Sequence, residues 1–306
     1  MISIIIATKD RPKHLRRCLF SILSSSFCKY EIIVLDQSTG NKSSAIIDLL
    51  KHKRLRYIKC NFVGKGKALN LGIQRSKGNI LAFTDDDCIA SSSWLQQINK
   101  YFRCHRNING VFGNTLPYRP SSHKKLYCPA TLQIDTPRIV TDRHVIHYLE
   151  LGHGNNMCIK KNVFKSIGGV QKWIGVGSAS KTTGGLESEF IYRMLAHKMV
   201  LHHNPTLIVY HNRWLTYEQY QNLQSGYISG VTAFIVYASI KYIDPFLLKN
   251  IFVQSIHFTG RLNNIWNNFK IHRTIPSIEL FFLFRHTISL FKGVFIGIYY
   301  AIFYDG

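Results

Sequence analysis

Three carboxylates stand in a row at Asp85–Asp87, in a chain with only 16 Asp and Glu against 39 Lys and Arg. They close an apolar run, Ile80–Phe83, and no further acid follows until Asp135. A buried strand that delivers acids at its C-terminal end sits where open α/β sheets place ligand chemistry. Carboxylate oxygens there suit a hard divalent cation, above all one shared with phosphates. A solvated Asp-rich turn or a helix cap is the competing reading of the same residues. If the strand persists through the acids, Asp85 and Asp87 project to one side and Asp86 to the other.

Other residues able to do chemistry also fall at the ends of apolar runs. Thr8–Arg11 follows Ile2–Ala7, and Asp36 follows Glu31–Leu35. Gly64-Lys65-Gly66-Lys67 opens a helical pattern, where glycines let the backbone approach a phosphate and lysines add charge. The spacing there is not that of a P-loop. Further on, Glu187 and Glu189 are the only acids between Glu150 and Glu218, and they follow the glycine-rich Gly175–Gly185. An amphipathic helix with solvent-facing acids would carry them equally well. His211 ends the apolar Thr206–Tyr210. His202 and His203 lack any metal-protease spacing and are expected as core or surface histidines. Trp173 and Trp214 suit either sugar stacking or core packing.

The elements that must position these groups follow from hydrophobic period. Strands are predicted at Ile2–Ala7, Glu31–Leu35, Arg56–Cys60 and Ile80–Phe83, with helices from Pro12, at Ala45–Leu50 and at Ala68–Arg75. That rhythm implies right-handed crossovers and a mostly parallel sheet over residues 1–105. Residues 110–150 read as loop-rich with short strands. A strand at Gly154–Lys160, a helical turn at Asn162–Ile167, a flexible lid at Gly175–Gly185 and a helix at Glu187–His197 come next. Beyond Trp214 helical patterns dominate, with apolar stretches at Gly226–Ile240 and Ile278–Tyr304. Arg285, His286 and Lys292 interrupt the last one. Its aromatics, with Arg261, Lys270 and Arg273 upstream, fit a helix lying in a membrane interface better than one spanning it; a core-packing helix is the alternative.

Composition narrows the class. With 46% hydrophobic and 13% aromatic residues the chain is not generally disordered. A net charge of +23 predicts polyanionic partners: phosphate-rich ligands, nucleic acid or an anionic membrane face. The cations are spread along the chain without a recognition motif, which argues against nucleic acid. Seven cysteines without a CxxC pair give neither a zinc pattern nor a complete disulfide framework. Reduced thiols in the cytoplasm, and no secretory leader, are expected.

The order ATKDRP, IIVLDQST, GKGKALNLGIQRSKG and ILAFTDDDC resembles the nucleotide-sugar-binding half of family 2 glycosyltransferases, and GGLESEFIYR resembles that family's later acidic motif. The resemblance covers roughly residues 1–215. It implies an α/β, GT-A-type, mostly parallel sheet flanked by helices, with residues 1–105 binding nucleotide sugar and 106–215 completing the acceptor and catalytic half. Residues 216–306 would be a helical, membrane-associated tail. The implied activity is inverting, metal-dependent transfer of a sugar from a nucleotide diphosphate sugar to a glycan or lipid-linked acceptor. Mn2+ or Mg2+ would be the cofactor, and the inner face of the cell membrane the site of action. By the same resemblance Thr8 and Arg11 line the nucleotide pocket, Asp36 accepts from the base, and Lys67 and Asn70 lie near ribose and diphosphate. Asp85 and Asp86 belong to the donor site and Asp87 to the metal, with His211 facing the metal or the leaving diphosphate. Glu187 is the expected base and Glu189 its reserve. Two departures stand out: Leu186 replaces the usual first acid, and the base is Glu where Asp is usual. A non-catalytic relative, or a basic nucleic-acid- or membrane-binding protein, is the alternative. A sugar-phosphate nucleotidyltransferase would need a glycine-rich loop where TKDRPK stands.

Overall fold

The computed structural model describes residues 1–119, 126–143, 151–249, 251 and 277–304. Arg261, Lys270 and Arg273 lie outside the described residues. The chain divides into two compact units, one of Met1–Val170 with Phe190–Thr216, the other of Gln171–Glu189 with Tyr217–Gly306.

The first unit holds the sheet. Strand β1 (Ile2–Thr8) is an isoleucine-rich run buried along nearly its whole length, as a strand covered on both faces must be. Helix α1 (Pro12–Leu23) starts on proline, whose fixed φ suits a first helical turn. Its Leu15, Cys18, Leu19 and Ile22 pack with Ile2, Ile4 and Ile6. Strands β2 (Tyr30–Asp36) and β3 (Leu55–Lys59) alternate with helices α2 (Lys42–Leu50) and α3 (Lys65–Arg75). Helix α3 covers the opposite face so closely that a Cβ on Gly72 would lie 2.5 Å from Ile5 Cγ2. Strand β4 (Ile80–Phe83) pairs with β1, giving a parallel β3–β2–β1–β4 block as expected.

Beyond β4 the sheet becomes mixed. After β5 (Cys88–Ala90) and helix α4 (Trp94–Cys104) come β6 (Gly110–Pro117), β7 (Arg138–Val140), β8 (Met157–Lys160), α5 (Lys161–Ile167), α6 (Leu186–Ala196) and β9 (Leu201–His211). The order runs β3-β2-β1-β4-β8-β6-β9-β5, with β7 also on β9. Strand β8 is antiparallel to β4 and β6, and β6 is parallel to β9. The eight-residue β6 occupies part of the stretch expected to be loop-rich. Its glycines suggest a loop, but packing demands them. A Cβ on Gly113 would fall 2.2 Å from the Leu207 carbonyl, at a register shift in the β6–β9 pairing.

The second unit is built on two long helices, α7 (Tyr217–Lys241) and α8 (Ser277–Phe303). They run in the same direction. Tyr217 meets Phe282 at one end, Gln221 O faces His286 Nε2, Gly293 and Gly297 seat against Ser229–Val236, and Lys241 reaches Tyr304 O. The segment Gly175–Gly185, expected to be a flexible lid, is instead packed and hydrogen-bonded. Gly175 N donates to Thr182 Oγ1, Ser180 and Thr182 share a bond, and Thr183 N donates to Gly226 O. Trp173 is a core residue, its ring stacked 4.5 Å from Tyr300 and tilted on Tyr237.

A Cβ added at Gly230 would lie 2.3 Å from the Gly184 carbonyl, a backbone atom that cannot swing away. Gly230→Ala is expected to cost about 1–3 kcal/mol of stability, read as a lower midpoint in denaturant or thermal melts.

Candidate active site

Strand β4 stops at Phe83, and Asp85–Asp87 form a turn closed by the Cys88 N–H donating to Asp85 O at 3.1 Å. The strand alternation that would send Asp86 to the opposite side therefore does not operate. Asp86 and Asp87 are the buried pair, and both are held by Arg11. Arg11 Nη1 lies 3.3 Å from Asp86 Oδ1 and 2.9 Å from Asp87 Oδ2. Thr8, the last residue of β1, donates its hydroxyl to Asp86 Oδ2 at 2.6 Å. Asp85 turns outward to Lys65 Nζ at 2.8 Å, so the first lysine of the glycine-lysine run joins the same cluster.

The second half of the sheet delivers His211. Strand β5 begins immediately after Asp87 and pairs antiparallel with the end of β9, placing Cys88 opposite His211. The Asn212 N–H donates to Asp87 O at 2.8 Å. Register alone thus carries a histidine 124 positions away to the acids. Its Nε2 stands 3.1 Å from Asp87 Oδ1. Its Nδ1 lies 2.6 Å from Pro129 O, and that carbonyl is itself fixed because Tyr127 and Leu215 exchange backbone hydrogen bonds. Cys128 also packs here, its thiol donating to His211 O at 3.4 Å.

Electrostatics divides the acids. Burial pushes both buried carboxyls up, and for Asp86 the neighbouring Asp87 adds to this, lifting it to about 7 against Arg11 and Thr8. For Asp87 the pull of His211, Arg11 and Arg213 outweighs burial and holds it below the usual carboxylate range. Burial lowers His211, but Asp87 overcomes this and raises it to about 10.

A carbonyl can only accept, so the Nδ1 proton of His211 points at Pro129 and the Nε2 lone pair of the neutral ring points at Asp87. Asp87 Oδ1 is buried and accepts no hydrogen bond of ordinary geometry. Two buried lone pairs facing each other need a proton or a cation between them; the raised His211 carries that proton at neutral pH, and a divalent cation would take its place. Asp87, Cys88 and His211 are the group among the described residues whose donor atoms lie close enough for one ion, all within 4.8 Å. Burial holds the Cys88 thiol protonated, well above its ordinary value. The usable donors are therefore a carboxylate and an imidazole, a set able to hold a divalent ion whose remaining positions other ligands would fill.

Residues 3–149 match the family model described as glycosyl transferase family 2. These residues form a glycosyltransferase family 2 domain. A glycosyltransferase of Bacillus subtilis, EpsJ, is 25% identical over 155 residues, which is 50% of this chain and 44% of that protein. One from Haemophilus influenzae is 28% identical over 163 residues, 52% of this chain and 60% of that one. The chain thus spans about half the length of these relatives. In fold it is similar to the mannosyltransferase PcManGT of Pyrobaculum calidifontis, solved with GDP-Man and Mn2+ (TM-score 0.60, 12% identity, 97% of this chain and 87% of the other). S. aureus TarS 1–349, solved with UDP-GlcNAc, gives a TM-score of 0.56 at 12% identity, over 98% and 91% of the two chains. The family 2 domain therefore has a GT-A-type fold.

Thr8, Arg11, Asp86, Asp87 and His211 come together in the first unit, with Asp85 beside them. The other expected site residues are placed differently. Asp36 is fully buried, its oxygens taking the Ser38 N–H and hydroxyl, the Tyr57 hydroxyl at 2.7 Å and Lys59 Nζ at 3.3 Å. Asn70 is spent on the backbone: its amide donates to Val170 O at 2.8 Å and accepts from Val170 N at 2.9 Å. Lys67 is exposed. Arg193 donates to the Ile167 and Gly169 carbonyls and caps the end of α5. His202 and His203 are buried in β9, against the Tyr101 hydroxyl and the Leu151 carbonyl. Sequence reading did not find Lys65, Cys128 or Pro129. Lys65 had a signal in its glycine-lysine run, whereas a carbonyl such as that of Pro129 leaves none.

Asp87→Asn and His211→Ala are each expected to weaken Mn2+ binding at least about tenfold, measured by calorimetry or by the ion's paramagnetic signal. Asp36 sits below its ordinary pKa because its four donors outweigh burial. Its stabilisation is therefore present above roughly pH 4 and is lost as pH falls through the folded value. The melting temperature of Asp36→Asn should be lower at neutral pH and fall less on acidification than that of the parent.

Proposed function

We propose that this chain is an inverting glycosyltransferase that moves a sugar from a nucleotide diphosphate donor to a hydroxyl of a glycan or lipid-linked acceptor. The observation that carries this is the Asp87–His211 pair, a buried carboxylate and imidazole 3.1 Å apart whose shared proton a divalent ion would displace, in a chain whose residues 3–149 match glycosyl transferase family 2. Solved neighbours in complex with GDP-Man or UDP-GlcNAc support a nucleotide sugar as the donor class.

Asp87 and His211 would hold a divalent ion, with Asp85 and Asp86 completing the donor side. When bound, such an ion stabilises negative charge on a diphosphate. Arg11 and Lys65 add fixed cations beside the acids, which favours departure of an anionic leaving group. Thr8 and Arg11 hold Asp86 and so shape the donor pocket floor. Asp36 ends β2 and holds the turn at Ser38, while Lys67 and Asn70 lie in α3, where Asn70 fixes Val170.

The base is assigned to Glu187. Both candidate acids lie in the first turn of α6. Glu189 is fully buried and accepts a hydrogen bond from the Tyr242 hydroxyl at 3.2 Å, an arrangement that suits a structural acid. Glu187, in the same turn, is half-buried, more open to solvent than Glu189. Its carboxylate would take the proton from the acceptor hydroxyl as that oxygen attacks the anomeric carbon. The carbon–oxygen bond to the nucleoside diphosphate breaks on the opposite face. One displacement inverts the configuration. A lipid-linked or cell-surface glycan precursor at the cytoplasmic face of a membrane is the acceptor class that the basic chain and its apolar helices support.

Glu187→Gln should abolish transfer, by about 10²–10⁴-fold, and leave nucleotide-sugar affinity unchanged in titrations with Mn2+ or Mg2+. Glu189→Gln should lower the melting temperature instead. If no nucleotide sugar binds with either ion, the proposed reaction is wrong.

A further inference from the structure

Helix α8 shows two opposite faces. One seats Gly293 and Gly297 on α7, with His286 and Ser289 buried beside them. The other exposes Phe281, Phe284, Ile288, Phe291, Phe295, Ile298 and Ile302, spaced alternately by three and four residues. Phe284 is 67% exposed and Phe295 70%, values that a core-packing helix does not give. From Phe281 to Ile302 this stripe runs about 33 Å, well beyond the scattered exposure normal for a surface.

We propose that this stripe is a membrane-docking surface, on which α8 lies flat in the interface of an anionic bilayer without crossing it. The inference deepens the membrane-face part of the proposed function and does not involve the sugar chemistry.

Three observations select this occupant. The first is charge: Lys292 is exposed within the stripe and Arg285 is half-buried at its edge, while Phe281–Tyr304 contains no acid. Phenylalanines flanked by cations match the chemistry of an acyl–headgroup boundary. The second argues against a second copy of the chain. The three-four spacing would suit a coiled-coil seam, but such seams are flanked by opposite charges, and from Phe281 onward, past Glu279, this one offers cations only. The third concerns orientation. Helices α7 and α8 run in the same direction, so they are not the antiparallel hairpin by which two spans cross and return. Lys292, exposed near the middle of α8, would also stand among the acyl chains if the helix crossed, where charged side chains are rare.

The test is co-flotation of the full chain with phosphatidylcholine vesicles, with and without phosphatidylglycerol. Binding is expected only with the anionic lipid. Phe284→Asp with Phe291→Asp should reduce the bound fraction at least about tenfold, and Lys292→Glu at least about fivefold. Unchanged melting and nucleotide-sugar affinity in these variants show that the fold and the donor site are intact. Nitroxides at Phe284→Cys and Ile302→Cys, with Cys28 and Cys104 replaced by Ser, should report one shared shallow depth. A steep difference in depth means spanning and overturns the proposal. Absence of flotation also overturns it. If light scattering then shows a dimer that the double variant dissociates, the stripe is a seam between copies.

Discussion

Burying two adjacent carboxylates is the constraint on which the rest of this domain depends. Asp86 and Asp87 leave water together in one turn, and neither could stay charged there alone. Arg11 from the loop after β1 and His211 from the end of β9 supply the countercharge. The compensation is incomplete. Asp86 is pushed up toward neutrality while Asp87 is held ionised, so one acid of the pair carries most of the negative charge. A site built this way presents a single strong carboxylate and an imidazolium whose Nδ1 proton is committed to a backbone carbonyl and whose Nε2 faces that carboxylate.

The two halves of the sheet contribute differently. The parallel β3–β2–β1–β4 block brings Thr8, Arg11 and the acids to one edge by the ordinary rule that strand ends face ligands. The mixed half contributes position through register. Without the β5–β9 pairing, His211 has no reason to be near Asp87, and without the Tyr127–Leu215 bridge the Pro129 carbonyl has no reason to be near His211.

This difference also explains what could be read from the sequence. Continuous isoleucine and valine runs ending in polar residues make the parallel half legible, as they do α1 and α3, and the order of its motifs was enough to suggest the family. The acids could be located but not apportioned, because alternation presumes a strand and the turn at Asp85–Cys88 removes it. Strand β6 was hidden by Gly110 and Gly113, which look like loop residues and are in fact demanded by close packing on β8 and β9. The packed state of Gly175–Gly185 was hidden for the converse reason. Small residues that suggest mobility in isolation are here the ones that let α7 approach. Antiparallel register and backbone carbonyls have no compositional trace.

The second compact unit is assembled from two pieces of chain, Gln171–Glu189 and Tyr217 onward, with Phe190–Thr216 of the first unit between them in sequence. During synthesis Trp173 and the Gly184-Gly185 pair emerge well before Tyr237, Tyr300 and Gly230, the groups that cover them. Until then they are exposed surface on an otherwise foldable chain, the kind of intermediate that associates wrongly. A chain cut after Thr216 would retain the whole sheet and still carry this uncovered segment. A single cut after Thr216 therefore leaves Trp173 and Gly184-Gly185 without the groups that cover them.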